Sequence, residues 1–170
     1  GEDMQRPTTA ERLPADNAIE LKDVRFAYHD KEILHGINLH IAPGTVNALV
    51  EPSCNGKSTI ARRLAKELGF YYVDTGAIYR TVAYFFDLWG VSPKDIDGIT
   101  RYIDELTVGI EYDDEGVQHM LMNGMDVTGD IRTPELSQKA SLVSAHAIVR
   151  DLLLDMQREM ADKHNVIMDG

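Results

Sequence analysis

Cysteine is almost missing from this chain. Cys54 stands alone among 170 residues, so no intrachain disulfide can staple the fold and stability must come from a packed core. Basic residues are also scarce, 17 Lys and Arg against 28 Asp and Glu, which leaves a net charge of −11. That deficit excludes nucleic acid as the main partner, although a local basic pocket for a small anion can sit inside an acidic protein. No apolar run is long enough to span a membrane: the longest, Thr81 to Val91, is broken by Asp87. No signal-peptide pattern appears either, so a reducing, cytoplasmic setting is expected, with no membrane partner. The histidines at 29, 35, 40, 119, 146 and 164 are scattered without ligand spacing, which indicates neither a metal site nor a histidine base. Repeats and low-complexity tracts are absent. What remains, 44% hydrophobic and 26% charged residues, suits one globular domain with a real core.

The densest chemistry lies in Ala48 to Thr59, ALVEPSCNGKST, an apolar strand end running through a loop into Gly56-Lys57-Ser58-Thr59 and then a helix. This resembles the Walker A phosphate-binding loop, G-x-x-x-x-G-K-[ST]. A loop that wraps a phosphate needs closely spaced backbone N–H groups, and the following helix adds the positive end of its dipole. The resemblance implies that Lys57 reaches the β- and γ-phosphates and that Ser58 holds Mg²⁺. The first glycine of the pattern is replaced by Glu51, whose carboxylate repels bound phosphate and whose Cβ disfavours a turn with positive φ. Cys54, inside the loop, reads as a small tolerated residue rather than a redox switch.

The rest of the chain gives a coarse α/β pattern. Residues 1–16 are polar with two prolines and are expected to be a disordered leader. Ile19 to Phe26 and Ile33 to Ile41 read as two strands with Asp30 and Lys31 in the turn, and Thr45 to Val50 as a buried parallel strand. Ile60 to Leu68 reads as an amphipathic helix ended by Gly69, with Ile60, Leu64, Ala65 and Leu68 on one face. Phe70 to Asp74 is a short buried strand, and Thr75-Gly-Ala-Ile-Tyr-Arg80 opens a helix running to about Leu88. A helix with Ile96, Ile99 and Ile103 on one side is predicted over 93–106. A hairpin follows, pairing 107–112 with 117–122 around Asp113 to Gly116. Two helices, 134–145 and 147–162, precede a buried strand at Val166 to Met168 that ends at Asp169.

Two family resemblances overlap on this pattern. Residues 17–59, with I-x-L-x-x-V-x-F-x-Y and ILHGINLHIAPG, resemble the start of an ABC-transporter ATPase domain, which implies that Tyr28 stacks on adenine. From the residues alone, Tyr28 reads as a strand-edge aromatic covering the hairpin. From Lys57 to Gly170, GFYYVDTGAIYRTVAYF, NGMDVTGDIRTPELSQKASLVSAHAIVRDLLLDMQREMA and HNVIMDG resemble the bacterial cytidylate (CMP) kinase family. That resemblance implies a P-loop NTPase-type three-layer α/β fold with a parallel core sheet, an N-terminal antiparallel hairpin over 17–44 and a monophosphate-binding insertion at about 93–145. It implies ATP with Mg²⁺ as cofactor and CMP or dCMP as acceptor. On the donor side stand Gly56, Lys57, Ser58 and Thr59, with Asp169 orienting Mg²⁺ or its waters. On the acceptor side Arg80 clamps the phosphate with a bidentate guanidinium, Thr75 and Tyr79 line the pocket, and Ser141 and Arg150 read the cytosine. Arg132 reads as a structural ion pair.

Departures from both families carry their own expectations. The D-G-R-D turn stops after Asp169-Gly170, and the kinase lid with its arginines does not follow. The transporter signature sequence and switch histidine are missing as well. The expectation is therefore a chimera-like or truncated kinase domain, joined at the shared phosphate loop, with weak nucleotide binding and little turnover. A non-catalytic P-loop chimera and an ABC-type ATPase fragment stand as alternatives. An incomplete sheet edge also leaves room for self-association.

Overall fold

Residues 3–4, 19–28, 31–41, 49–50 and 57–169 are described by the computed structural model of the chain. They fall into two units, Gly1–Ile60 and Ala61–Gly170. In the first unit lie β1 (Asp3–Met4), β2 (Ile19–Tyr28), β3 (Lys31–Ile41) and β4 (Leu49–Val50). The expected hairpin is present: β2 and β3 pair antiparallel from Ile19 opposite Ile41 to Tyr28 opposite Lys31. Lys31 is therefore a paired strand residue and not part of the turn. Between Leu21 and Val24 the register slips, and Asp23, at φ 47, sits in that irregularity. The described part of the stretch expected as a parallel strand, β4, pairs antiparallel with β1 instead. β1 lies within the expected leader, and its pairing uses main-chain groups, which a polar segment carries as well as an apolar one. The loop that resembles Walker A, residues 51–56, lies outside the described residues.

α1 (Lys57–Leu68) follows, with Ala61 and Ala65 buried and Arg62, Arg63, Lys66 and Glu67 exposed, close to the expected face. Gly69, at φ +68, ends it, with Phe70 N donating to Ala65 O at 2.8 Å. A side chain at that φ is strained, which is why glycine closes the helix. β5 (Tyr71–Asp74) leads directly into α2 (Thr75–Leu88), as the sequence predicts. α2 is the centre of the second unit. Ile78, Val82, Phe85 and Phe86 are almost wholly buried among Val73, Ile99, Met120, Val143, Val149 and Leu153. Its buried Thr81 hydroxyl donates to Ala77 O at 2.8 Å, so no polar group is stranded in that core.

α3 (Ile96–Tyr102) and a 3-10 turn (Ile103–Glu105) replace the longer predicted helix. Asp95 accepts from Gly98 N and so starts the helix late; Ile99 and Ile103 are buried, but Ile96 is 44% exposed. The expected hairpin is β6 (Val108–Tyr112) with β7 (Gln118–Met122), and a third strand, β8 (Met125–Asp126), pairs with β7. The Asn123-Gly124 turn that adds it has both central residues at positive φ, 49 and 84. α4 (Pro134–Val143), capped by Thr133, and α5 (Ala147–Lys163) match the two expected helices. Lys139 of α4 is ion-paired with Asp87 of α2. β9 (Val166–Asp169) pairs parallel with β5, giving the parallel core sheet and helices of the expected α/β class.

His119 on β7 holds the small sheet together from outside. Its ring bonds Asp126 of β8 at 2.8 Å through Nδ1 and Asp113 of the hairpin turn at 3.0 Å through Nε2, with Glu111 its cross-strand partner. Hydrogen bonds to Asp126 and then Asp113 raise the His119 pKa above its ordinary 6.5. Bonds from Thr128 and His119 push Asp126 down to about 2. A group that binds its proton more tightly when folded contributes fully below its unfolded pKa and loses that contribution as pH rises through the raised value. Stability should therefore decline as pH climbs from about 6.5 through the raised value, and His119→Gln should flatten that slope in urea titrations. An unchanged slope contradicts the clamp.

Candidate functional site

The site is built at the carboxyl end of β5. β5 and β9 run parallel and in register, with Asp74 opposite Asp169, so both strands end together. The carboxyl ends of parallel strands are where open α/β sheets hold ligands. Asp74 is the last residue of β5 and the N-cap of α2. Its Oδ1 accepts from Ala77 N at 3.2 Å and its Oδ2 lies 3.5 Å from Arg80 Nη2. That ion pair is long, and the guanidinium keeps donors for a second anion. Gly76 makes room for it: a Cβ there stands 3.1 Å from both Arg80 Nη1 and Asp74 Oδ1.

Around this turn opens a cleft of about 1080 Å³, lined by Arg62 and Lys66 of α1, Asp74 and Arg80, Gln118, and Arg132 and Ser137 at the start of α4. Four cationic side chains against two carboxylates, Asp74 and Glu115, line one cleft in a protein of net charge −11, a local cationic excess that favours an anion. Arg62 also lies over the Tyr72 ring, 5.2 Å from its centroid. Tyr112 closes the far side of β5. It stacks on Tyr71 with centroids 4.5 Å apart, and its hydroxyl donates to Tyr72 O at 2.8 Å. Burial, assisted by Tyr71, pushes that hydroxyl up to about 12, so it remains a neutral donor. Among the described residues no cluster of three or more His, Cys, Asp or Glu side chains is placed to hold a metal ion.

The sequence-predicted residues divide by place. Arg80 lines the cleft, and Thr75 is buried beside it at the first turn of α2. Tyr79 is half-buried against the core and does not line the cleft. Ser141 and Arg150 lie away from the lining, at the α4–α5 junction. The Ser141 hydroxyl donates to Ser137 O at 3.3 Å; Arg150 Nη1 donates to Ser144 O at 3.1 Å and Ala145 O at 2.6 Å. Arg132, expected in an ion pair, has none among the described residues and faces the cleft instead. Lys57, Ser58 and Thr59 form the first turn of α1, but their side chains, like those of Tyr28 and Asp169, lie outside the described residues, as does Gly56. Arg62, Lys66, Gln118 and Ser137 were not singled out by the sequence. The spacing of Arg62 and Lys66, four apart on one helix face, is the one signal that pointed to them.

A family model described as cytidylate kinase matches residues 48–170. The chain belongs to the cytidylate kinase family. It is 43% identical over 123 residues to a cytidylate kinase of Lactobacillus johnsonii, covering 72% of this chain and 53% of that one. It is 43% identical to one of Pelotomaculum thermopropionicum (72% of this chain, 54% of that one) and 45% identical to one of Carboxydothermus hydrogenoformans (72% and 55%). The chain thus spans about half the length of the curated relatives it matches. No helix among the described residues is long and apolar enough to cross a membrane.

Asp74 gives the first test of the site's construction. Replacing an N-cap acceptor by alanine costs about 1 kcal/mol, so Asp74→Ala should lose about that much in urea titrations and Asp74→Asn, which keeps an acceptor, clearly less. Equal losses contradict the capping role.

Proposed function

We propose that this chain is the acceptor-binding and phosphate-loop part of a nucleoside monophosphate kinase that transfers a phosphoryl group from ATP to CMP or dCMP. The observation that carries this is the Asp74–Arg80 turn at the carboxyl end of β5, opening into a cationic cleft, in a chain of the cytidylate kinase family. Arg80 takes the acceptor phosphate with its free donors, supported by Arg132, and Thr75 and Tyr79 stiffen the first turns of α2 behind it. Ser141 and Arg150 belong to one junction, joined by the bond from Ser144 Oγ to Ser141 O, and three guanidinium N–H groups of Arg150 remain for a pyrimidine edge.

The donor side is assigned to ATP with Mg²⁺ by residue type. α1 opens at Lys57 with no acidic residue in its first turn, so nothing in that turn offsets the positive end of its dipole. The lysine, the hydroxyls of Ser58 and Thr59 and the carboxylate of Asp169 are the cationic and hard-oxygen residue types that this group takes. Bound ATP with Mg²⁺ supplies the phosphoryl group and neutralises its charge. Gly56 lets the main chain approach the phosphates, Lys57 balances their charge, and Asp169 orients oxygen ligands. Glu51 works against this by placing a carboxylate in the loop, so ATP binds weakly. A reducing, cytoplasmic setting suits Cys54.

A second reading concerns residues 17–44, which lie outside the family match and contain the β2–β3 hairpin. We propose that they are an appended ABC-ATPase-type hairpin, chimera-like, with Tyr28 supplying an adenine contact.

Calorimetric titration with CMP and with ATP separately tests these assignments. Losing charge-assisted bonds of about 1.5–3 kcal/mol, Arg80→Ala should weaken CMP binding about tenfold or more, and Arg80→Lys should restore it only in part. CMP binding unchanged in Arg80→Ala contradicts the acceptor reading. In ATP titrations Glu51→Gly should tighten binding and Tyr28→Ala weaken it. Unchanged affinity in either removes the role given to that residue.

A further inference from the structure

Among the described residues, β5 has one edge that no strand covers. Tyr71 N donates to Asn165 O at 3.1 Å, so the peptide groups of Tyr71 and Val73 face β9, and those of Tyr72 and Asp74 face the other way. Among the described residues β5 pairs only with β9. The open edge is met by two side chains from the tip of the β6–β7 hairpin, Tyr112 and Gln118, which are register partners. Tyr112 takes Tyr72 O, as described above. Gln118 takes both main-chain groups of Asp74: Oε1 accepts from Asp74 N at 2.7 Å, and Nε2 donates to Asp74 O at 3.2 Å. A carboxamide carries an acceptor and a donor in one plane, so it substitutes for the peptide unit of a neighbouring strand. Its own position is defined. Nε2 also contacts Met120 Sδ at 3.1 Å, and the preceding turn is tied by Asp113, which accepts from Glu115 N and Val117 N, both at 2.9 Å.

From this geometry we infer that Gln118 is a positioning residue for the acceptor phosphate. It brackets Asp74 from a hairpin 44 residues away and thereby fixes the turn from which the Asp74 carboxylate and the Arg80 guanidinium face the cleft. The inference rests on the proposal that this cleft takes a nucleoside monophosphate. Asp74 is the pivot: its backbone is held by Gln118, and its carboxylate caps α2 and pairs with Arg80. Freeing the backbone lets all of these turn together, and small misplacements of a phosphate-clamping group are costly. Tyr112 is a control within the same device. It holds Tyr72, two residues earlier, and touches no group that caps or pairs.

The experiment compares wild type, Gln118→Leu, Gln118→Glu and Tyr112→Phe by calorimetry with CMP and with ATP, and by amide hydrogen exchange without ligand. Gln118→Leu should speed exchange at Asp74 and weaken CMP binding about tenfold while leaving ATP affinity within about twofold. Gln118→Glu keeps the acceptor for Asp74 N but sets a carboxylate against Asp74 O, so it should also lose CMP affinity without losing the fold. Tyr112→Phe should keep CMP affinity within about twofold. CMP affinity unchanged in both Gln118 variants, or CMP and ATP affinities falling together, overturns the positioning role. Wild-type protein that takes up no CMP overturns the reading of the cleft, and this inference with it.

Discussion

The bond from the Asp74 carboxylate to Ala77 N is the constraint on which the second unit depends. It ends β5, starts α2 within one residue, and fixes the direction in which the most buried helix of the unit leaves the sheet. Because the same carboxylate faces Arg80, the group that shapes the fold also sets the charge at the cleft. A strand running straight into a helix leaves no loop to absorb error, so the turn has to be held from outside. The hairpin does that through Gln118, while Tyr112 holds the strand two residues earlier.

α2 explains why so few residues are left for chemistry. Eight of its fourteen residues are buried, and its one buried mid-helix hydroxyl, Thr81, is spent on Ala77 O. Arg80 is the charged group in its first half, and it emerges at the cleft. The same packing limits the sheet's open side. Tyr112 and Gln118 occupy three of the main-chain groups on that edge, Tyr72 O and both groups of Asp74, which a further strand would otherwise use.

Much of this was legible in the sequence where one rule acted alone. The start of α2 follows from an aspartate before a helical apolar pattern, the end of α1 from Gly69, and β9 from an apolar run closing at Asp169. Where two rules competed, the reading slipped. Asp95 could begin a helix or sit inside one; it caps, so α3 is short and Ile96 is exposed. Asn123-Gly124 is a strong hairpin signal, yet it stands in a short polar stretch, and β8 went unread. The cleft was legible only in part. Arg80 carries a local motif and Arg62 and Lys66 share a helix face by their spacing, whereas Arg132 and Gln118 reach the cleft through tertiary packing that no spacing encodes.

The account's central claim is that the β5–α2 turn receives the phosphate of a nucleoside monophosphate. Amide hydrogen exchange read residue by residue, with and without saturating CMP, tests it most directly. The account predicts that protection rises at residues 74–80 and at the start of α4 around 132–137. Protection that leaves 74–80 unchanged while appearing elsewhere in the chain contradicts it.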